Sequence, residues 1–534
     1  MLRDQSSNQT VLDFYLPFGG KLSTQNRWVK LAELIPWDAL GAVYNSNFHP
    51  TMGAPATPSR VVIGAMILKH MKNLSDEEVI EDIRENPYCQ YFLGFESFQD
   101  RKIFVPSLFV EIRKRLGLEQ LQEINELFLS KITEPEDEDP PKPGNSKKSE
   151  SDAESSKASS VKGYDKGGEA SAEKEEDSGE IRRGMLIIDA TVAPSDIRYP
   201  TDVDLLNTSR EKAEELIDEL WVQTADGIKP RTYRKVARKK YLAFTHQRKP
   251  GSKKIRKAIG QQLNYLRRDL KHIHDLLDKS SKDAILCRSF PLTYRQQRTL
   301  WIISELYRQQ KWMYDQRTHI IKDRIVSISQ PHVRPIVRGK AGKRVEFGAK
   351  ISGVVIDGMV TVDNLSWDAY NESSDLEGAV EKYKMRFGFY PESVNADKIY
   401  WNRENRKYLK KLGIAIYGGT PLGRPKKMDE RSPEEKRVHQ EKSNLRNCIE
   451  GKFGEGKRRY GLGLVMAKTQ RTSESWIAMV IFVMNIARAF RDIFFSLLFW
   501  LHSNEPDRIS GAKHSRNLCH KNYSSKGETW GSVA

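Results

Sequence analysis

Cysteine is scarce: the 534 residues contain four, Cys89, Cys287, Cys448 and Cys519, set far apart with no paired spacing. That excludes a disulfide framework and a cysteine-based zinc site, and it fits a reducing compartment. The N-terminal stretch MLRDQSSNQT has no apolar signal core, so no export is expected. Long uncharged apolar runs are missing as well. The best candidate, residues 476–501, is broken by Arg488, Arg491 and Asp492, and its charge-free pieces fall short of the ~20 residues needed to cross a bilayer. A buried helix is expected there, with residues 479–501 packed on a sheet or a second subunit, and no membrane partner.

Negative charge is the minority sign, and it is unevenly placed. Lys and Arg number 88 against 71 Asp and Glu, a net charge of +17, while 38% hydrophobic residues suffice for packed cores and exclude a wholly disordered chain. Residues 133–180 hold 15 acidic residues, 7 Lys and no Arg, a net of −8, among Ser, Pro and Gly with almost no large apolar residues. Such a segment cannot bury enough surface to offset its ordering entropy and reads as an acidic linker. Setting that −8 aside from the total of +17 leaves +25 on the remainder, which points to a polyanion as partner. The length suggests roughly three folded units.

The densest basic block is residues 229–272, with 16 Lys or Arg and one acid, Asp269. Tyr233, Tyr241, Phe244 and Tyr265 are interleaved with it. Cations with interspersed rings suit a phosphate backbone and stacked bases; a solvated helical face that touches nothing is the alternative. Arg234, Lys235, Arg238, Lys239, Lys240, Lys253 and Lys254 are the DNA-binding candidates there. Apolar spacing predicts helices over 212–220, 255–277 and 294–314, so the block belongs to a basic helical insertion of about 207–340 whose expected task is gripping DNA.

Residues 57–118 have helical periodicity: Val61, Val62, Ala65, Met66 and Leu68 fit one face, and Ser75 with Glu78 forms a capping box before Val79, Ile80 and Ile83. An all-helical module follows, for DNA-end binding or dimerisation. Its stretch NLSDEEVIEDIRENPYCQYFLGF, residues 73–95, resembles the N-terminal domain of the IS5-like insertion-sequence transposases.

Three carboxylates stand out in the second half. Asp189 closes the apolar run GMLIID, which reads as a buried strand ending at that residue; a lone Asp there is more often a turn-former or cap than a ligand. Residues 345–365 alternate and turn at Asp357-Gly358, a β-hairpin, and a helix follows over 376–387. Val394 lies in a short strand with Asp397 just after it, ahead of a basic helix near Arg403, so two strands each deliver an Asp where α/β sheets bind ligands. In NLRNCIEGKFGEGKRRYGLGL, residues 444–464, Arg446, Glu450, Phe453 and Lys457 share one helical face. Gly451, Gly454 and Gly456 oppose that helix and would be tolerable where a DNA strand passes close by. Glu455 falls on another face, and Asp196, Asp202 and Asp204 read as loop or cap.

The spacing R-x3-E-x6-K at Arg446, Glu450 and Lys457 is similar to the signature of the IS4/IS5-type transposases, except that its usual leading Tyr is here Ser443. The resemblance implies a metal-dependent DDE transposase that cleaves insertion-sequence ends and transfers strands into target DNA. It also implies an α/β ribonuclease-H-like catalytic domain, a mixed sheet flanked by helices, joined to an all-helical N-terminal domain and a helical insertion. Asp189, Asp397 and Glu450 would be the catalytic carboxylates and hold two Mg²⁺, with Mn²⁺ as a substitute. Asp189 would bridge both ions, Asp397 bind one and Glu450 the other. Arg446 and Lys457 would hold phosphates. Terminal inverted repeats and target duplex would be the DNA partners, a homodimer or higher assembly the working form, and the prokaryotic cytoplasm at the nucleoid the location. A transposase-derived repressor without catalysis, or a nuclease without strand transfer, are the alternative readings. The expected organisation is a helical N-terminal domain at 1–132, the acidic linker at 133–182, the catalytic domain at 183–500 with its insertion, and a polar tail at 501–534.

Overall fold

The structure, a computed structural model, describes residues 16, 20–49, 52, 55–133, 182–224, 228–287, 290–337, 345–418 and 432–503. Residues 134–181, the body of the expected linker, and the tail from 504, with Cys519 and His520, lie outside the described residues.

Seven helices come first: α1 (Arg27–Leu34), α2 (Trp37–Asn45), α3 (Ser59–Lys72), α4 (Asp76–Glu85), α5 (Pro87–Phe92), α6 (Leu108–Arg115) and α7 (Leu118–Thr133). The capping box forms as the sequence predicts. The Ser75 hydroxyl accepts the Glu78 N–H at 3.1 Å, and the Glu78 carboxylate accepts the Ser75 N–H at 2.8 Å. Helix α3 departs from its expected single face, because every residue from 61 to 70 is buried. It is the central helix of the module, covered on all sides.

Next come β1 (Met185–Pro194), the helices α8 (Asp202–Thr224), α9 (Arg234–Thr245), α10 (Ser252–Cys287) and α11 (Tyr294–Gln316), and the strands β2 (Arg334–Val337), β3 (Val345–Ile356) and β4 (Met359–Ser366). The helical insertion therefore opens at Asp202, earlier than 207, and its helices end at Gln316, because Arg334–Val337 returns to the sheet as β2. Helix α12 (Asp375–Phe387), β5 (Ser393–Asn395), α13 (Arg403–Lys411), β6 (Ala415–Tyr417), α14 (Pro433–Asn444), α15 (Asn447–Arg459) and α16 (Gln470–Ser503) complete the order. The hairpin turn sits at Asp357 and Gly358, whose φ values of 49° and 81° suit an Asp-Gly pair.

The strands run β2-β3-β1-β5-β6, with β4 also on β3. β1 is antiparallel to β3 and parallel to β5, and β5 is parallel to β6. A mixed sheet of this order with helices on its faces fits a ribonuclease-H-like fold. One face packs on α12 and α13 through Leu186, Ile188, Val354 and Val394. The other joins α15, α16 and the N-terminal helices in one continuous core. Helix α16, whose residues 477–486 are all buried, runs through the middle of that core, and Asn485 closes the free edge of β4. Its amide donates to the Val360 carbonyl at 2.7 Å and its oxygen accepts the Val360 N–H at 2.8 Å. No helix among the described residues is long and apolar enough to cross a membrane. The insertion has a separate core of α8, α10 and α11 side chains.

Candidate active site

Pairing between β1 and β5 sets the geometry. Ile187 lies opposite Asn395 as the last pair of a parallel ladder, and Asp189 and Asp397 each stand two residues beyond it. β1 does not end at Asp189 as the sequence suggested; it continues to Pro194, because β3 pairs with it from Ile187 to Pro194. Asp189 is thus a mid-strand carboxylate at the point where the β5 ladder stops. Its side chain is 16% exposed, and its Oδ1 accepts the Ala190 N–H at 2.8 Å. Burial pushes its carboxyl up to about 6, opposed by that hydrogen bond and by Arg446 and reinforced by Asp397 and Glu372. Asp397 caps the 3-10 turn Lys398–Tyr400, accepting the Lys398 N–H at 2.7 Å.

Helix α15 supplies the third acid. Ile449 and Phe453 are buried under the sheet and fix the helix, leaving Glu450 on the solvent side, 53% exposed. Phe453 fills the space over Gly353, the residue paired with Asp189; a Cβ at 353 would stand 2.8 Å from its ring. The Arg446 guanidinium at the start of α15 reaches the Glu450 carboxylate at 3.2 Å and the Asp189 carboxylate at 3.8 Å. One cation therefore links two of the acids, while Asp397 acts on Asp189 through its charge. Lys457 lies two turns further along α15, half-buried. Gly456 is explained by packing: a Cβ there would stand 2.8 Å from Met484 of α16, so this glycine serves a helix contact.

Other acids are accounted for. Glu455 pairs with Arg491 of α16 at 2.8 Å and Asp196 with Lys468 at 2.5 Å, while Asp202 pairs with Arg324 at 2.6 Å and Asp204 accepts the Tyr241 hydroxyl at 2.6 Å. In the basic block, Arg234 is held by Asp218 through two hydrogen bonds of 2.7 and 2.9 Å. Lys235, Arg238, Lys239, Lys240, Lys253 and Lys254 are exposed.

Two features of the site are absent from the sequence reading. Glu372, in the 3-10 turn Glu372–Ser374, adds its charge to the field on Asp189 and is held by Lys350 of β3 at 2.5 Å. Asn405 ties that turn to the segment after Asp397, donating to the Ser373 and Tyr400 carbonyls, both at 2.8 Å. Nothing in the local pattern NESSDLE singles out Glu372; only the packing of this turn against the Asp397 loop brings it near Asp189. Beside Ser443, where the signature has a Tyr, the structure places Tyr417 of β6, whose ring lies 5.4 Å from that of His439 and whose hydroxyl lies 3.2 Å from the Lys442 ammonium. A tyrosine is present in space although it is missing from the motif.

No three His, Cys, Asp or Glu side chains among the described residues are already gathered as a metal-ligand set. The donors themselves are hard carboxylate oxygens, and the charge of Asp397 disfavours the charged form of Asp189. A divalent cation relieves such repulsion, so the residues fit such an ion in their chemistry.

Two segments of the chain match transposase domains. Residues 394–487 match the family described as Transposase DDE domain, and residues 17–115 match Transposase domain (DUF772). The first match holds Asp397, Arg446, Glu450 and Lys457; Asp189 lies outside it. The chain is 42% identical over 96 residues to "Uncharacterized protein ORF8 in nfe locus" of Rhizobium meliloti, an overlap of 18% of this chain and 46% of that protein. The chain thus spans less than half the length of this relative. No solved structure matches. Together these matches support an insertion-sequence transposase of the DDE type.

Proposed function

We propose that this protein cleaves DNA at the ends of an insertion sequence and joins the freed ends to target DNA, as a member of the IS5-like group. The observation that supports the reading is that Asp189 and Asp397 each stand two residues beyond the last pair of the parallel β1–β5 ladder, with Arg446 at the start of α15 linking Glu450 to Asp189. Asp189, Asp397 and Glu450 would hold two Mg²⁺, which when bound supply the charge that activates an attacking oxygen and stabilises a leaving one.

The chain's own groups do the rest. Arg446 is the bridge between acids in the free protein and turns its fork to a phosphate when DNA enters, with Lys457 further along the same helix. The exposed cations of α9 and the start of α10 draw in the duplex by counterion release. In the first step a water oxygen bonds to phosphorus, the bond to the 3′ oxygen breaks, and that oxygen leaves as a hydroxyl while the water gives up a proton. In the second the new 3′-hydroxyl bonds to a target phosphorus and displaces a target 3′ oxygen, with no bond to the protein. Bringing two ends together calls for a dimer or larger assembly, acting at the nucleoid of a prokaryotic cytoplasm.

The test is incubation with labelled terminal-repeat DNA and a target plasmid in Mg²⁺, beside Asp189→Ala, Asp397→Ala and Glu450→Ala. Cleaved and joined products from the wild type, lost in each variant with end binding retained, are expected. Binding without cleavage by the wild type identifies a repressor, and cleavage without joining a nuclease. Unchanged products from the Glu450 variant would remove that residue from the trio.

A further inference from the structure

Helix α11 has two sides of opposite character. Ile302, Ile303, Leu306 and Met313 are buried in the core of the insertion. On the other side, Tyr294, Trp301 and Trp312 are exposed by 83, 66 and 45%. Steps of seven and then eleven residues are close to whole numbers of helical turns, so the three rings fall on one line, separated by about 10 and about 16 Å along the axis. Arg298 and Arg308 flank that line, about 40° to either side. None of the three rings meets another ring or a cation among the described residues. Isolated apolar side chains on a surface need no explanation, but two tryptophans and a tyrosine in register along one helix form an uncovered stripe.

Charge selects the occupant. Both acids of the helix are engaged by bases of the same helix, Glu305 by Arg308 at 2.6 Å and Asp315 by Lys311. The surplus is carried by Arg295 and Arg298, both exposed. Planar rings alternating with guanidinium groups suit a polyanion that offers flat faces. The same face of a second copy would set Arg295 and Arg298 against like charges, so the stripe suits an anion better than its own counterpart. The base pairs of a duplex keep their flat faces stacked on one another, so only unpaired nucleotides can present them to a side chain.

We propose that this face of α11 is a stacking platform for single-stranded DNA, with Trp301 and Trp312 as its principal contacts and Tyr294 and Arg298 extending it. The platform begins close to the catalytic sheet. His332, packed edge-on against Trp367 at 4.4 Å just before β2, feels the charge of Arg298. That the strand is one separated at an element's end rests on the transposase reading; the stacking surface does not.

The experiment measures fluorescence anisotropy of a labelled oligothymidine and of a labelled mixed-sequence duplex with the full chain. Wild type is compared with the double variants Trp301→Ala/Trp312→Ala and Trp301→Phe/Trp312→Phe. Both positions are exposed, so unaltered circular dichroism and melting are expected. The Ala pair should lose about tenfold in single-strand affinity per ring removed. The Phe pair should recover most of it, and duplex affinity should stay unchanged. Equal single-strand affinity in wild type and the Ala pair overturns the platform. If in that case the Ala pair also sediments as a smaller species, the stripe is a subunit contact instead. End cleavage by the wild type, assayed in parallel, keeps the two readings apart. A wild type that never cleaves while the Ala pair still loses single-strand binding overturns the transposase reading and leaves the platform standing.

Discussion

Gly353 has no chemical group to contribute, yet it decides whether the third acid reaches the other two. It pairs with Asp189 across β1 and β3 and leaves the space that Phe453 fills. Replacing it by Ala forces the ring, and with it α15, away from the sheet. Gly353→Ala is expected to destabilise the protein by ~1–3 kcal/mol, the usual cost of overpacking, and to reduce end cleavage more than end binding. A urea midpoint and a nicking assay check this, and wild-type values in both would show that α15 does not depend on that gap. Asp269 shows the opposite economy, a charge-bearing group buried in α10 with neither oxygen hydrogen-bonded among the described residues. Burial first, then Glu214, pushes its carboxyl up to about 8, against Arg210, Arg268 and Arg234. The native protein keeps this proton where the unfolded chain has lost it. The stabilisation is therefore complete below the ordinary Asp range and is lost as pH rises through about 8, by up to ~1.4 kcal/mol per pH unit in between. Asp269→Asn should flatten that decline in thermal unfolding between pH 5 and 8.5, and an unchanged slope would assign it to another group.

At the scale of elements, legibility followed the range of the forces involved. The hairpin at Asp357-Gly358, the capping box at Ser75 and the helix after Asn402 are set by neighbours in sequence, and they appear where the residues put them. Arg446 and Glu450 stand one helical turn apart, so their pairing needed only a helix, which forms despite its three glycines. The end of β1 was misplaced because an acid in mid-strand looks like a terminus, whereas pairing with β3 carries the strand five residues further. Element packing also turns on a polar residue inside the apolar run of α16. Asn485 satisfies both backbone groups of Val360 and donates to Asn125 of α7 at 2.8 Å, so it joins α16, the sheet edge and the N-terminal helices at one point. Asn485→Ala leaves those buried groups unpaired and is expected to cost ~2–4 kcal/mol. A shift in the denaturation midpoint smaller than that of an exposed Asn→Ala control would show that the junction is held by apolar packing alone.

The whole molecule is less divisible than its sequence. The N-terminal helices carry their own periodicity and caps, yet Phe128 packs edge-on against Phe482 at 5.6 Å, and His70 meets the Tyr460 carbonyl at 3.2 Å. These contacts make α16 the shared centre of both parts. Expressed without residues 1–133, the remainder would expose the apolar surface of α16. It is expected to aggregate or to bind a hydrophobic dye with no cooperative melt; a soluble fragment with a sharp transition would show that the sheet-bearing part folds alone.

The sequence by itself points to a kind of chemistry and a kind of partner. Residue types, local spacing and net charge are properties of the chain, and they nominate Asp189, Asp397, Glu450 and a basic helical insertion before any fold exists. The tertiary structure alone decided proximity. The approach of Asp397 to Asp189 depends on a parallel pairing across more than two hundred residues, and the approach of Glu372 on a turn packed beside Asp397. The exposure of Trp301 and Trp312 likewise depends on which side of α11 the insertion core leaves in water. Contacts of that kind are paid for by loop closure and burial over the entire chain, so no local pattern can carry them.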